Sequence, residues 1–473
     1  MIRRTASTAL ALLVLAGSSP AFATNGMNLE GYGAKSQAMG GTGMAYDTGN
    51  SAAMNNPATL GFYKEGTSEL GFGIRGLHPK VKGEYGPYTD YSRSTAFYMP
   101  SISYIRRDGA ISWGTAMFSQ GGMGADYGDD SPLFAAGSSW NGVANVPLSG
   151  KTNRSEVGVG RVMFPIAWKV SEDTTIGASV DFVWASMDMQ MDLDGAHFRR
   201  FTQGDGGTVS GSMYDSLGGY MMGGAISDIN YARFDFSNDS HLIGRAVGYG
   251  TGFKIGLTQK LSKTVTIGGS YHSQTAMTDL ESGNATLSFF GAGPAFANGP
   301  IPLSGKVKVR NFEWPATFAA GIAITPNEKL LITGDVKYIE WSSVMDKFSM
   351  SFTADDSVSN GDFRGKSIDV EMFQKWKNQT IWSIGVQYKP TRKLALRGGA
   401  SFSMEPVPDL YTNPLFPATI KNHYTCGFGY QLNDVSSVAA AFSWAPRVTD
   451  TNGDGMVISH SQTNWALNYM HKL

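Results

Sequence analysis

Val162, Phe164, Ile166, Trp168 and Val170 alternate with Met163, Pro165, Ala167 and Lys169. After the turn Ser171-Glu172-Asp173 the same beat resumes in Ile176, Ala178, Val180, Phe182 and Trp184. A period of two sends successive side chains to opposite faces, which is a strand pattern. It recurs in Phe253/Ile255/Leu257, Val265/Ile267/Tyr271, Phe318/Ala320/Ile322/Ile324 and Leu330/Ile332/Val336/Tyr338. It returns in Trp382/Ile384/Val386/Tyr388, Leu394/Leu396/Ala400/Phe402, Tyr424/Cys426/Phe428/Tyr430 and Val438/Ala440/Phe442/Trp444. The pattern predicts about fourteen strands, each able to supply the roughly 9–11 residues of a tilted membrane strand. The chain closes on an alternating segment, Trp465 to Leu473, which ends on Leu where a membrane-barrel closing strand commonly carries an aromatic residue.

The connections sort by length. Tight turns are expected at Arg107-Asp108-Gly109, Ser171–Asp173, Leu261–Lys263, Pro326-Asn327-Glu328, Pro390-Thr391-Arg392 and Asn433-Asp434. Between them lie long excursions: Pro79–Arg93, Gly121–Asn153, Asp192–Gly244, Ser273–Leu303, Ser343–Gly365, Glu405–Thr419 and Pro446–Met456. Strict alternation of short and long connections is how an outer-membrane barrel divides periplasmic turns from extracellular loops. A soluble sandwich has no reason to sort its loops in this way. The expected fold is therefore all-β, a transmembrane antiparallel barrel with an even strand number and both termini in the periplasm.

Composition adds the compartment and removes some functions. Arg3-Arg4, the apolar run Ala9–Gly17 and Ala21-Phe22-Ala23 form a cleavable export leader over residues 1–23. Charged residues are 16% and Gly 59 of 473, yet no mature segment offers the apolar stretch of a membrane helix, which suits alternating strands. A net charge of −1 argues against a nucleic-acid-binding face. The single cysteine, Cys426, excludes a disulfide framework. No G-x-S-x-G, H-E-x-x-H or C-x-x-C motif occurs.

Behind the leader, Thr24–Leu60 is rich in glycine, at 26, 31, 33, 40, 41, 43 and 49, and ends in Asn55-Asn56-Pro57-Ala58. So many glycines oppose regular helix or strand, while the low charge opposes a disordered tail. Such a segment suits packing inside a larger structure. The stretches Gly31–Gly43, Asp47–Asn50 and Asn56-Pro57-Ala58 resemble the N-terminal hatch of the FadL/TodX family of outer-membrane transporters. The resemblance continues through Phe118–Tyr127, Trp314-Pro315, Tyr338–Trp341, Arg397–Ala400 and Pro406–Asp409.

The resemblance implies a fourteen-stranded barrel plugged by its N-terminal segment: a hatch over 24–66 and a barrel over 67–473. It further implies passive uptake of hydrophobic compounds, with long-chain fatty acids as the default and aromatic or alkane hydrocarbons as the variant. The expected partners are those small molecules, outer-membrane lipids and the barrel assembly machinery, with no cofactor, no metal and a monomeric chain. Asn56, Pro57 and Ala58 would anchor the hatch. Gly122 would mark a kinked strand opening a lateral exit, or would simply end a strand before a long loop.

Met213, Leu217, Tyr220 and Met221 share one face of a predicted short helix in the longest excursion. With Leu287, Phe289, Phe290 and Phe296 they would form the outer capture groove that the resemblance implies; otherwise they pack loop against loop. Alternation turns Asp181, Lys254, His272, Asp335, Lys337 and Arg397 inward. Lys254, Lys337 and Arg397 could receive a carboxylate, or could belong to a salt-bridge network that fills the lumen. Asp450-Thr-Asn452-Gly-Asp454-Gly455 matches half of a calcium loop, but Ser461 stands where the bidentate Glu belongs, so a polar turn is expected. A lipase-type barrel and an adhesin barrel are the competing classes, and neither has a use for a hatch.

Overall fold

A computed structural model describes residues 26–129, 131–135, 148–238, 240 and 243–473. The leader, residues 1–23, lies outside the described residues.

The alternating segments form strands β1 (Ser68–Tyr85), β2 (Phe97–Asp108), β3 (Ile111–Asp126), β4 (Arg154–Lys169) and β5 (Thr174–Asp194). They continue as β6 (Ala246–Lys260), β7 (Val265–His272), β8 (Thr317–Asn327), β9 (Leu330–Ile339) and β10 (Gln379–Tyr388). The last are β11 (Leu394–Ser403), β12 (Asn422–Gln431), β13 (Ser436–Thr451) and β14 (Val457–Lys472). Each pairs antiparallel with the next, and β14 pairs back onto β1, closing a ring of fourteen. Closure removes the sheet edges that a bilayer cannot satisfy. The outward positions are apolar and uncovered by protein, as Phe164, Val180, Phe253, Trp382 and Trp444 illustrate. Their alternates face inward and are buried, Asp181, Lys254 and Asp335 among them.

The six tight turns expected from the sequence lie at one end of the ring. The long excursions lie at the other and carry structure of their own. Strands at Asp228–Phe236, Leu280–Ala292, Ile301–Arg310, Lys347–Ala354 and Ser367–Phe373, with helices Gly195–Thr202 and Ser212–Met222, pack into one apolar cluster over the barrel mouth. Several expected excursions begin later than the sequence suggested, and two lose about half of their length to strand. Pro79–Tyr85 and Pro446–Thr451 continue β1 and β13, so the β13–β14 connection is only the turn around Asn452–Met456. Above the membrane both faces of a strand meet water or polar loops, and the apolar alternation ends before the strand does.

Candidate functional site

Residues 26–67 fill the lumen, held by lumen side chains that bond their main chain. Asp335 accepts from the N–H groups of Gly43 (2.7 Å) and Met44 (3.1 Å), and Lys337 donates to the Gly41 carbonyl at 2.7 Å. Asn468 accepts from Ala34 N–H at 2.6 Å, Thr425 from Gly40 N–H at 2.9 Å, and Arg107 donates to Gly61 O at 2.9 Å. Arg75 bonds Gly31 O at 2.6 Å and forms a buried ion pair with Glu30, which also accepts from Ser443 at 2.6 Å. A glycine-rich segment has few side chains to offer, so its peptide groups become its handles.

The Asn56-Pro57-Ala58 turn bonds to the plug and to the wall at once. The Asn56 amide donates to Met44 O (2.7 Å) and to Leu257 O of β6 (3.2 Å), while its oxygen accepts from Ala58 N–H at 3.0 Å. Pro57 begins the 3-10 helix Pro57–Phe62 that this side chain caps. Two wall glycines permit the approach: a Cβ on Gly256 would come within 2.0 Å of Asn56 Oδ1, and one on Gly177 within 2.3 Å of Ala58 N.

The wall itself is incomplete beside the plug. β2 and β3 pair only from Ile102↔Met117 to Asp108↔Ile111. Above that point Phe97–Ser101 pair with β1 alone, and β3 from Phe118 onward pairs with β4 across a register shift between Ser119 and Gly121. Gly122 sits just past this bulge, where a Cβ would come within 2.3 Å of Val157 O. Plug residues serve the vacant edge of β3. Gly122 N–H donates to Met27 O at 3.1 Å, Tyr32 donates to Gln120 O at 2.8 Å, and Asn28 bridges Gly121.

A cavity of about 340 Å³ occupies this gap. Its lining runs from inward-facing Glu30 and His460 to outward-facing Tyr98 and Trp184, so it crosses the wall. A second cavity of about 250 Å³ lies among the outer loops, against Met191, Leu193, Phe201, Met372 and Leu410. The segment Pro414–Ala418 separates the two: Pro414 and Leu415 line the outer cavity, Pro417 and Ala418 the inner one. At the rim of the outer cavity, His197 contacts Asp194 (3.0 Å) and Asp454 (2.9 Å), and Arg200 donates to Asp454 at 2.9 Å. Burial alone would lower the His197 pKa, but these carboxylates outweigh it and raise it to about 10.

A plugged fourteen-strand barrel with a breached wall is a specific architecture. The description "Outer membrane protein transport protein (OMPP1/FadL/TodX)" matches residues 10–451. The chain belongs to the OMPP1/FadL/TodX family. Members are outer-membrane β-barrels that carry hydrophobic compounds. The solved toluene transporter TodX of Pseudomonas putida is 30% identical over 94% of this chain and 99% of its own, with a TM-score of 0.79. The toluene transporter TbuX of Ralstonia pickettii is also 30% identical with the same coverage and a TM-score of 0.74. A protein of the 5′ region of the phosphoenolpyruvate carboxykinase gene of Chlorobium limicola is 67% identical over 107 residues. The chain spans about half of that curated relative's length, 53%, with 23% of its own.

Within this OMPP1/FadL/TodX member, the predicted capture residues are brought together, but in loop packing. Met213, Leu217, Leu287 and Phe289 are fully buried, Phe296 nearly so, and Phe290 packs against the same cluster. Tyr220 donates to Asp362 at 2.7 Å and packs on Phe363, while Met221 is exposed. None of these residues lines either large cavity. Lys254 bonds Asp181, which also pairs with Arg161 at 2.9 Å; Arg397 donates to Gln387 at 2.8 Å. Lys337 borders a void of about 30 Å³ between plug and wall and lines neither large cavity.

The half calcium loop does not converge on one centre. Asp450 faces Lys421 at 3.4 Å, Asn452 Oδ1 accepts from Asp454 and Met456 N–H, and Asp454 turns to His197 and Arg200. It is a polar turn. His197, Arg200, His460 and the Pro414–Ala418 partition were not legible in the sequence as site residues. Arg200 carried a faint signal, a cation in the last turn of a short helix; His197 sits in the first turn, beside the N-cap Asp194.

Proposed function

We propose that this chain carries uncharged hydrophobic compounds, hydrocarbons of the monoaromatic class ahead of long-chain fatty acids, passively from the outer cavity to the wall gap. The observation that carries the reading is the chemistry of the 340 Å³ cavity. Among its described lining residues there is no Lys or Arg, and its two carboxylates, Glu30 and Glu156, are already paired with Arg75 and Arg154. A carboxylate ligand would enter with its charge unmatched, which is costly in a partly dry site. Similarity to two toluene transporters supports the same class. The solute would leave water at the loop cavity, pass the Pro414–Ala418 partition as it shifts, and reach the bilayer through the gap at Gly122. The hatch, anchored at Asn56-Pro57-Ala58, would keep the lumen closed to water meanwhile.

The test is saturable binding of toluene, decane, oleate and a sugar control to the detergent-purified mature protein. Toluene or decane should bind more tightly than oleate. Tighter oleate binding that weakens in Lys254, Lys337 or Arg397 variants would move the function to fatty-acid uptake, with those residues as the carboxylate site. Failure of every apolar ligand would sink the transport reading for this chain.

A further inference from the structure

The cavity in the wall gap is lined mostly by apolar groups, with Glu30, His460 and Gln462 among its polar residues. His460 of β14 is only 7% exposed, and its Nδ1 lies 2.8 Å from the Pro417 carbonyl oxygen. A carbonyl can only accept, so Nδ1 carries the ring proton and the neutral imidazole keeps a bare lone pair on Nε2. That Nε2 is buried with no hydrogen-bond partner among the described residues, on a side chain that lines the cavity. Gln462 lines the same cavity; its amide is committed as a donor to Asn464 Oδ1 at 2.7 Å, which leaves it an acceptor oxygen. Glu30, close by, is saturated by Arg75, Ser443 and Asn464. His460 Nε2 and the Gln462 oxygen therefore present lone pairs to the cavity. A buried acceptor without a partner is a standing cost that a ligand O–H can relieve.

We propose that His460 Nε2 accepts a hydrogen bond from a ligand hydroxyl, so that the cavity prefers a hydroxylated aromatic compound to the corresponding hydrocarbon. This rests on the reading of the cavity as a passage for uncharged hydrophobic compounds. A phenol meets both conditions, since it is neutral at physiological pH and carries one donor on an apolar ring.

Equilibrium dialysis of the purified mature protein against toluene, p-cresol and 4-methylanisole tests it, with each ligand corrected for its partition into detergent. p-Cresol adds one hydroxyl to toluene, and 4-methylanisole keeps the oxygen but cannot donate. One hydrogen bond corresponds to p-cresol binding about 3- to 10-fold more tightly than either comparison ligand. His460→Phe should erase that advantage, read as the ratio of p-cresol to toluene affinity within the same protein, in protein that keeps the heat-modifiable mobility of a folded barrel. The 4-methylanisole comparison needs no variant and stands even if His460→Phe fails to fold. A wild-type protein that binds p-cresol no better than toluene would overturn the inference while leaving hydrocarbon passage intact. An advantage that survives in His460→Phe would overturn it as well. If neither toluene nor p-cresol binds saturably, the reading beneath it fails too.

Discussion

The backbone N–H of Gly122 donates to the carbonyl of Met27 at 3.1 Å, so the bend in the barrel wall is bonded to the plug. The neighbouring strand β2 has already separated from β3 at Ile102↔Met117. Any side chain at position 122 would meet Val157 O and force β3 away from β4 or from the plug. Gly122→Val should therefore reduce toluene uptake severalfold while the barrel still folds, as heat-modifiable electrophoretic mobility reports. Uptake at the wild-type rate would show that the bend is only the end of a paired segment.

Asn56 ties three separate pieces of chain together: the helix it caps, the plug at Met44 and the wall at Leu257. Asn56→Ala removes these bonds and leaves buried carbonyls short of donors, a loss of about 2–4 kcal/mol in the seating of the plug. The expected result is faster proteolysis within residues 26–67 and raised ion conductance in planar bilayers. A variant as tight and as protease-resistant as the parent would remove Asn56 from the role of anchor.

The ion pair of Arg75 and Glu30 joins β1 to the plug, and both side chains are buried. Removing one partner strands the other charge, which costs about 3–5 kcal/mol, whereas neutralising both costs less. Glu30→Gln should lower the thermal unfolding midpoint more than the double variant Glu30→Gln/Arg75→Gln does. If the double variant is the less stable, the pair is a net attraction and not a mutual neutralisation.

Over the outer cavity, His197 and Asp454 link the helix Gly195–Thr202 to the β13–β14 turn. The imidazole is held well above its ordinary value of 6.5, at about 10, and the Asp454 carboxyl below its ordinary 3.8. The His197 contribution is complete below pH 6.5 and fades as pH rises toward about 10; that of Asp454 is present above 3.8 and lost in acid. The link is therefore strongest in mildly acidic solution. Amide exchange in residues 195–202, corrected for its intrinsic pH dependence, should speed up between pH 6.5 and 10 in the wild type, and His197→Gln should abolish that trend. Identical pH profiles in the two proteins would mean that the contact does not hold the helix.

The barrel was legible because lipid imposes an apolar side chain at every second position, and this regularity survives in a single sequence. It failed where lipid stops, in Pro79–Tyr85 and Pro446–Thr451, which remain strand after the alternation is gone. The helix Ser212–Met222 was legible from Met213, Leu217, Tyr220 and Met221, but its spacing says only which side is apolar. Whether that side meets a ligand or the strand carrying Leu287 and Phe289 depends on tertiary contacts. Likewise, nothing local foretells that His197 finds Asp454, or that Met27 completes the edge of β3. Such pairs join distant parts of the chain through the fold alone.

A breach in a sheet that faces hydrocarbon is a problem of wetting as much as of width, because each bare amide invites water. Here the rim of β3 borrows the plug as a substitute strand, through Met27 and Asn28, with Tyr32 on Gln120 O. On the proposed route, an apolar solute would cross that seam without competing for those bonds. Water or a hydrated ion could use the same route only by competing for them. The opening can thus behave like an oiled seal, permeable to what dissolves in the membrane and tight to what does not.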